Sequence, residues 1–325
     1  MGSVILGTGA CLPKKILTNK ELEKIVDTSD EWIRTRTGIK QRHISGPGEY
    51  TYILASRAAE NALDNAGISA KEINLVVVGT ISSHMLMPSC ACFVQAEIGA
   101  SNAFAYDLNA ACSGFLYGLD LADKYVQSDK NQKILVIGAE TLSSRLNWED
   151  RNTCILFGDG AGAAVVGYDE DNNRGLVGSN LCSDGKLWKL LHMHTSESLN
   201  PDIKVDDWSG THIVMEGREV FKHAVKAMED SVHGLLEKTG VSMESIKLVI
   251  PHQANVRILN KLVERLAVAP ERVFINAPRL GNTSAASIPI ALDEANRNGR
   301  IDKNDLVLFC SFGGGFTWGA SLIKW

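Results

Sequence analysis

The stretch Gly67-Ile-Ser-Ala-Lys-Glu-Ile-Asn-Leu-Val-Val77 decides the fold, because it recurs without a gap as Gly240-Val-Ser-Met-Glu-Ser-Ile-Lys-Leu-Val-Ile250. The same spacing of 173 positions relates further pairs: Asn109 and Asn282, Leu119-Asp120 and Leu292-Asp293, and Ile134-Leu-Val136 and Val307-Leu-Phe309. One constant spacing over several segments indicates an internal duplication, whereas chance similarity of α/β units would drift in register.

Each copy of the repeat lies between a helical pattern and an apolar segment rich in Val and Ile. Helical spacing covers residues 52–66 and 219–238, and both segments precede such a strand. This order is typical of mostly parallel sheets that are buried on both faces. We therefore predict an α/β fold of two similar halves, residues 1–172 and 173–325, with the junction near 169–174.

Three polar residues follow predicted strands. They are Cys112 in Asp107-Leu-Asn-Ala-Ala-Cys-Ser-Gly-Phe115, His252 in Val249-Ile-Pro-His-Gln-Ala-Asn255 and Asn282 in Leu280-Gly-Asn-Thr-Ser-Ala-Ala286. The duplication places Cys112 opposite the loop of Asn282, in a crevice at the carboxyl ends of strands where ligands bind in open α/β folds. Together the three residues indicate acyl transfer by a cysteine nucleophile.

Cys112 precedes a segment with apolar residues at helical spacing, so we expect it to open a helix. The positive end of a helix favours a thiolate and lowers a cysteine pKa, which suits a nucleophile at neutral pH. Each residue also has a plainer interpretation. Cys112 could be a small buried apolar residue, His252 a structural histidine and Asn282 part of a Gly-Asn turn.

Six motifs occur in a fixed order along the whole chain: Asp27-Thr-Ser-Asp-Glu-Trp-Ile33, Arg36-Thr-Gly38, Phe157-Gly-Asp-Gly-Ala-Gly-Ala-Ala164, His252-Gln-Ala-Asn255, Gly281-Asn-Thr-Ser-Ala-Ala-Ser287 and Phe312-Gly-Gly-Gly-Phe-Thr-Trp-Gly319. By this set the chain resembles the β-ketoacyl-acyl-carrier-protein synthase III family of the thiolase superfamily. The resemblance implies a thiolase-like duplicated fold in αβαβα layers. It also implies an acyltransferase, the condensing enzyme that initiates fatty acid synthesis.

The resemblance implies a ping-pong reaction. Cys112 takes an acyl group from a short acyl-CoA, and malonyl-acyl-carrier protein then loses carbon dioxide and attacks that group to give a 3-oxoacyl product. His252 and Asn282 would stabilise the decarboxylating partner, and the backbone N–H groups of Cys112 and Gly314 would form a second oxyanion site. Two alternatives stay open: a related acyl-CoA-primed condensing enzyme of secondary metabolism with another primer or acceptor, and a non-catalytic acyl-binding module.

Substrate contacts carry over from the family position by position. The residues implied to bind CoA are Thr28, Trp32, Arg36, Arg151, Gly217, Phe221, Ala254, Asn255 and Phe312. Those implied to line the acyl pocket are Met87, Leu142, Phe157, Leu191, Ile213 and Met215. Met87 departs from the family pattern, in which a phenylalanine from the partner subunit often closes the pocket, so the primer is left open. By resemblance we also expect a homodimer.

Two surface segments have separate interpretations. Basic residues at helical spacing, Lys222 on one helix and Arg257, Lys261 and Arg265 on another, would suit an acidic acyl-carrier protein, although a solvated helix face has the same pattern. Residues 186–212 form a longer segment than the family usually has, and we interpret it as a substrate-portal loop. His192 and His194 within it have no third ligand at metal spacing, so we expect no metal.

Composition sets the remaining limits. The net charge is −5, with 33 basic and 38 acidic residues, which argues against general nucleic-acid binding. No apolar run is long enough for a membrane span, and the first residues are typical of a strand rather than of a signal peptide. Seven scattered cysteines favour reduced thiols in the cytoplasm. We expect no resident cofactor, because acyl-CoA is a substrate.

Overall fold

The computed structural model describes residues 2–170, 173–200, 202–203 and 208–325. The helices are α1 (Asn19–Leu22), α2 (Asp30–Thr37), α3 (Thr51–Ala66), α4 (Cys90–Glu97), α5 (Gly114–Ser128), α6 (Gly217–Thr239), α7 (Val256–Arg265), α8 (Ala277–Leu280) and α9 (Ser287–Arg297). The strands are β1 (Ser3–Cys11), β2 (Lys15–Thr18), β3 (Gln41–Ile44), β4 (Leu75–Gly79), β5 (Phe104–Leu108), β6 (Ile134–Glu140), β7 (Gly160–Tyr168), β8 (Gly175–Ser183), β9 (Leu191–His192), β10 (Val214–Met215), β11 (Ile246–Pro251), β12 (Leu306–Gly313) and β13 (Thr317–Lys324).

Gly67 and Gly240, which open the two copies of the repeat, each end a helix. Both adopt a left-handed backbone, with φ of 66° and 68°, which glycine reaches without the steric cost of a Cβ. Each donates its N–H back to carbonyls of the preceding helical turn. A 3₁₀ turn and a buried strand, β4 or β11, follow in both copies. The repeated stretch therefore encodes a helix end, a turn and a central strand twice.

The two large sheets have matching strand orders. The first sheet runs β1-β7-β6-β4-β5, and the second, taken from its opposite edge, runs β8-β13-β12-β11. Corresponding pairs also agree in sense, since β4/β6 and β11/β12 are parallel while β1/β7 and β8/β13 are antiparallel. The place of β5 is taken in the second sheet by one parallel bridge between Val249 and Val273. The internal duplication is thus visible in the topology.

The prediction of mostly parallel sheets is confirmed, because four of the five strands of the first sheet and three of the four of the second run in one direction; β7 and β13 are the exceptions. β7 and β13 each run antiparallel to both of their neighbours. β12 and β13 are joined by a tight turn at Gly314–Phe316, and a parallel pair would need a crossover of a dozen or more residues. Between β6 and β7 the one helical segment is the 3₁₀ turn Leu142–Arg145, so no crossover helix forms there either.

Helices and sheets alternate in five layers. α5 and α9 lie between the two sheets, where Leu116, Leu119, Ile288 and Leu292 pack against strands from both halves. α3 and α4 cover the outer face of the first sheet, and α6 and α7 cover the outer face of the second. The predicted αβαβα arrangement is confirmed. The division into halves after residue 172 stays a prediction, since residues 171 and 172, like residue 1, lie outside the described residues.

Candidate active site

A cavity of about 1580 Å³ opens beside the ends of β5 and β11. Cys112, His252 and Asn282 all line it, so the structure brings the three predicted residues to one place. They arrive on separate loops: Cys112 on the turn between β5 and α5, His252 directly after β11, and Asn282 after α8. His252 and Asn282 follow Cys112 by 140 and 170 positions in the chain. The fold therefore brings distant residues into one concave site, as expected from the duplication.

Cys112 lies in the 3₁₀ turn Ala111–Ser113, one step before α5, and does not itself open that helix as predicted. Ala111 has a φ of 44°, and such a backbone persists only where surrounding contacts hold it. Those contacts come from the other half of the chain: Ser311 Oγ donates to the Cys112 carbonyl at 2.9 Å, and Thr317 Oγ1 donates to the Ala110 carbonyl at 2.7 Å.

The environment of the Cys112 thiol differs from the prediction. Burial raises the pKa of Cys112 to about 12, against the lowering effect of its hydrogen bond with Ser284. The prediction of a thiolate at neutral pH is therefore wrong for the resting chain, because enclosure outweighs the field of the nearby helix. Gly313 packs so closely that a Cβ there would lie 2.6 Å from the Cys112 amide nitrogen. A proton must leave the thiol before it can act as a nucleophile.

His252 is a neutral imidazole whose orientation is set by Ser287. Its Nδ1 lies 2.7 Å from Ser287 Oγ, and that hydroxyl already accepts the Gln253 N–H at 3.3 Å. We assign the Ser287 proton to Nδ1, since that hydroxyl has no other acceptor among the described residues, and this tautomer places the histidine proton on Nε2. Burial lowers the pKa of His252 to about 3, so the ring is uncharged at neutral pH. His252 can therefore offer one N–H donor without a positive charge.

The side-chain amide of Asn282 is oriented by its own loop. Its Oδ1 accepts the Ser284 N–H at 2.8 Å, which assigns the other amide atom as the nitrogen. The backbone is held as well: the Asn282 N–H donates to Leu156, and its carbonyl accepts from Gly158, both at 2.9 Å. Asn282 Nδ2 is thereby left as a second neutral donor at the cavity.

Most residues implied to bind CoA line the cavity; those that do are Trp32, Arg36, Arg151, Gly217, Phe221, Ala254, Asn255 and Phe312. The guanidinium groups of Arg36 and Arg151 lie 5.7 and 5.0 Å from the centroid of the Trp32 ring system. Thr28 does not line the cavity. Its hydroxyl is buried and has no hydrogen-bond partner among the described residues. The structure thus gathers an aromatic ring and two cations at one end of the site.

The predicted acyl-pocket residues divide into two groups. Leu142, Phe157, Leu191, Ile213 and Met215 line the cavity. Met87 does not line the cavity of its own chain, and it is 86% exposed. This placement matches a residue that faces another molecule rather than its own pocket.

A scan against family models matches residues 106–185 to 3-oxoacyl-[acyl-carrier-protein] synthase III and residues 236–325 to the C-terminal part of the same enzyme. The β-ketoacyl-[acyl-carrier-protein] synthase III of Desulfotalea psychrophila is 62% identical over the full length of both chains. The chain belongs to the β-ketoacyl-[acyl-carrier-protein] synthase III family. It is therefore a thiolase-fold transferase, a condensing enzyme of the type that initiates fatty acid synthesis.

Two solved structures of relatives support this assignment. The 3-oxoacyl-[acyl-carrier-protein] synthase III of Aquifex aeolicus is 49% identical with a TM-score of 0.93, and the match covers all of both chains. The priming β-ketosynthase of a polyketide biosynthetic pathway is 35% identical with a TM-score of 0.90, over 99% of this chain and 96% of that one. In this synthase III family member, none of the helices that the structure describes is long and apolar enough to cross a membrane.

The predicted carrier-protein patch is largely neutralised within the chain. Lys222 pairs with Glu219, Lys261 pairs with Glu264 and Arg265 pairs with Glu229. Arg257 makes no ion pair with a described residue, and its guanidinium lies 5.9 Å from the Phe221 ring centroid. Of the four residues, Lys222 and Arg257 line the cavity. The most available cation is therefore Arg257, at the cavity rather than along the helix.

The 186–212 segment lies partly beside the cavity. Trp188, His192 and His194 line the cavity. The ring centroids of Trp188 and His192 are 5.4 Å apart, and those of His192 and His194 are 5.2 Å apart. Residues 201 and 204–207 of the predicted portal loop lie outside the described residues. The residues that the structure does describe include no cluster of three or more His, Cys, Asp or Glu able to hold a metal ion.

Sequence reasoning missed two residues beside the nucleophile. Ser284 Oγ lies 3.2 Å from Cys112 Sγ and 3.3 Å from Glu140 Oε1, and all three residues are buried. Ser284 lies two residues after Asn282, inside the motif Gly281–Ser287. Glu140 was detectable as a carboxylate that closes the apolar run Ile134–Ala139, a position where burial would otherwise disfavour a charge.

Proposed function

We propose that this chain condenses an acyl-CoA primer with malonyl-acyl-carrier protein. The products are a 3-oxoacyl-acyl-carrier protein, CoA and carbon dioxide. One observation carries the proposal: a buried thiol shares its cavity with two neutral donors, His252 Nε2–H and Asn282 Nδ2–H. Decarboxylation to a carbanion equivalent needs such donors at the thioester oxygen, and membership of the synthase III family favours condensation over hydrolysis at this thiol.

In the first half-reaction, deprotonated Cys112 attacks the thioester carbon of acyl-CoA. A carbon–sulfur bond forms to Cys112, the bond to CoA breaks, and CoA leaves with a proton. The developing oxyanion would be bound by the N–H groups of Cys112 and Gly314. The absence of a side chain on Gly313 supports this, because it lets the backbone of that turn approach Cys112 closely.

In the second half-reaction, malonyl-acyl-carrier protein takes the place of CoA. The bond to its carboxylate breaks, carbon dioxide leaves, and negative charge builds on the thioester oxygen. His252 Nε2–H and Asn282 Nδ2–H donate to that oxygen. The new carbon nucleophile attacks the acyl group, a carbon–carbon bond forms, and Cys112 leaves as the thiolate. The lowered pKa of His252 supports this role, because a neutral donor stabilises charge without giving up its proton.

CoA would enter past Trp32, Arg36 and Arg151. An aromatic ring beside two guanidinium groups suits an adenine base and its phosphates, because the ring can stack and the cations can pair with the anions. Arg257 would meet the acidic carrier protein at the same mouth. The reaction requires no resident cofactor, since acyl-CoA and malonyl-acyl-carrier protein are both substrates.

We further propose that the working enzyme is a homodimer in the cytoplasm. Met85, Leu86 and Met87 form an exposed apolar segment, which is unusual unless another molecule covers it. All seven cysteines are free thiols, which suits a reducing compartment.

A second function is favoured by one comparison. The priming β-ketosynthase of a polyketide pathway is 35% identical along nearly the whole chain, so the same site could load a different primer. Supplying malonyl-CoA in place of malonyl-acyl-carrier protein, together with a panel of acyl-CoA primers, separates the two functions. Condensation of short primers with the carrier-bound substrate alone favours fatty-acid initiation.

Intact mass spectrometry after treatment with acetyl-CoA tests the proposal. The parent chain should gain one acetyl group, and Cys112→Ala should gain none. Cys310→Ala is the matched control, because Cys310 is equally buried but lies away from the cavity. Acetylation that survives in Cys112→Ala would sink the assignment of the nucleophile.

A further inference from the structure

Three buried side chains form a continuous hydrogen-bonded row, in which Ser284 of the second half lies between Cys112 and Glu140 of the first half. Ser284 Oγ lies 3.2 Å from Cys112 Sγ and 3.3 Å from Glu140 Oε1. A serine hydroxyl has one proton, so it cannot donate to both neighbours at once. If Ser284 donates to Glu140, it accepts from the Cys112 thiol.

The surroundings of Glu140 fix the direction of this row. Ser82 Oγ accepts the Thr141 N–H at 2.8 Å, and Thr80 Oγ1 accepts the Ser82 N–H at 3.2 Å. Both hydroxyls are then turned to donate to Glu140 Oε2, which also receives the Ile81 N–H at 3.2 Å. Three donors hold this oxygen as part of a carboxylate, and Oε1 is left to face Ser284.

The carboxylate of Glu140 has no counter-ion among the described residues. It is buried, and within the described chain it forms no ion pair. The titratable groups that face it are two thiols, Cys112 on the turn before α5 and Cys90 on α4. Burial raises the pKa of Glu140 to about 7 against the lowering effect of its donors, so it exchanges a proton readily near neutral pH. Burial of a carboxylate without a counter-ion costs stability, and the hydrogen-bond donors of Glu140 offset that cost only in part.

We propose that Ser284 and Glu140 remove the proton from Cys112 when it becomes a nucleophile. The Cys112 S–H bond breaks as its proton moves to Ser284 Oγ, and the Ser284 proton moves to Glu140 Oε1. Thiol and carboxylate become thiolate and carboxylic acid, so charge and atoms balance without an outside base. Once the acyl group is bonded to Cys112, the proton held by Glu140 passes through Ser284 Oγ to the departing CoA sulfur instead, so that CoA leaves as the thiol and Glu140 is again a carboxylate. The inference rests on the proposed function, in which Cys112 is the acyl acceptor.

This proton transfer from Cys112 through Ser284 to Glu140, called the relay below, gives His252 and Glu140 different roles. In the tautomer assigned above, His252 Nδ1 accepts from Ser287 and Nε2 carries a proton, so the imidazole has no free lone pair for the thiol. Glu140 is therefore a positioning and proton-storing residue that acts through Ser284, while Ser284 touches the reacting sulfur. The strained backbone of Ser284, with φ of 49°, is the local cost of holding its hydroxyl between sulfur and carboxylate.

The test follows alkylation of Cys112 by iodoacetamide across about pH 6 to 10, with the Cys112 peptide quantified by mass spectrometry. In the parent chain the rate should rise with a step near pH 7, as Glu140 becomes able to accept the proton. Glu140→Gln keeps the shape but removes the acceptor, so the step should vanish and the rate near pH 7.5 should fall at least about tenfold. Glu140→Asp should keep a step.

Ser284→Ala should remove the same step, which guards against a folding defect specific to Glu140→Gln. Ser113→Ala is the matched control, because this buried serine adjoins Cys112 but its hydroxyl lies 3.1 Å from the Thr317 carbonyl oxygen and 3.4 Å from Ser311 Oγ rather than beside the sulfur; its step should persist. An unchanged step in both Glu140→Gln and Ser284→Ala overturns the relay. Failure of the parent chain to accept an acetyl group from acetyl-CoA would instead overturn the proposed function.

Discussion

At the level of single residues, enclosure decides the chemistry of the site. Cys112 and His252 are both neutral at rest, because burial raises the pKa of the thiol to about 12 and lowers that of the imidazole to about 3. The sequence identified both residues from their places after strands. The sequence could not predict their protonation. Cys112 is enclosed by Ser284 and Gly313, and both of these residues come from the far half of the chain.

Removing the imidazole should separate the two half-reactions. His252→Ala loses one of two donors to the developing negative charge, so malonyl decarboxylation should slow by about 10²–10³-fold while acetylation of Cys112 changes little. His252→Gln keeps an N–H donor and should recover part of the rate. Carbon dioxide release and acetyl incorporation, measured separately, check this. Equal loss of both half-reactions would contradict the division of roles.

His252 should also make the fold sensitive to acid. The unfolded chain binds a proton on this residue near pH 6.5, whereas the folded chain does so only near pH 3. As the pH falls between these values, protons favour the unfolded state and the free energy of unfolding drops. From pH 7 to pH 5 this loss should be about 2 kcal/mol smaller in His252→Gln than in the parent chain. Urea unfolding at both pH values measures it, and equal losses would contradict burial of a neutral ring.

At the level of elements, the site depends on a close approach between β6 and the 3₁₀ turn Ser284–Ala286. Gly138 in β6 faces this turn so closely that a Cβ would lie 2.1 Å from the Ala285 carbonyl oxygen. Glu140 is two residues further along the same strand, and Ser284 begins the turn. The contact between Ser284 and Glu140 therefore follows from the packing of these two elements.

Gly138→Ala should push the turn away from β6. Overpacking of this kind typically costs about 1–3 kcal/mol in unfolding free energy, and alkylation of Cys112 should change together with stability. Gly185→Ala is the matched control, because a Cβ there meets nothing within 4 Å. Thermal unfolding of both variants tests the contact. Equal melting temperatures would show that the turn adjusts without cost.

The elements themselves were largely predictable. The repeat correctly gave the helices before β4 and β11, and the apolar spacing after Cys112 gave the buried face of α5, including Phe115, Leu116 and Leu119. The sense of β7 and β13 was not predictable from apolar runs, because a run that is buried on both faces is the same in either direction. For β13, the direction could have been predicted from the short link to β12, because three residues are too few for the crossover that a parallel pair needs.

At the level of the whole molecule, two exposed side chains are the candidate contacts of the homodimer proposed above. Leu86 is 87% exposed and Met87 is 86% exposed, and Met85 and Leu86 also line the cavity. Leu86→Glu should shift the proposed homodimer toward monomer in sedimentation velocity, because a charge would be buried at the interface. Leu199→Glu is the matched control, since Leu199 is 103% exposed on another segment. Monomeric parent chain, or an unaffected Leu86→Glu dimer, would contradict this interface.

The architecture could be predicted because the repeated stretch reflects the duplication directly and the ordered motifs carry the family resemblance, which implied the layers. The contacts between halves could not, because they join residues such as Glu140 and Ser284 that no local pattern connects. The largest gap between prediction and structure therefore lies where the two halves meet, which is also where the chemistry is proposed to occur.

Transfer of the acyl group from Cys112 to the carrier-bound substrate is the most direct measurement of the central claim. Acetylated chain, freed of acetyl-CoA, is mixed with malonyl-acyl-carrier protein, and both proteins are followed by intact mass. We predict that the acetyl group leaves the chain as the carrier protein becomes 3-oxobutanoyl-loaded, with release of carbon dioxide. An acetyl-enzyme that persists with malonyl-acyl-carrier protein, yet is consumed by malonyl-CoA, would contradict this function.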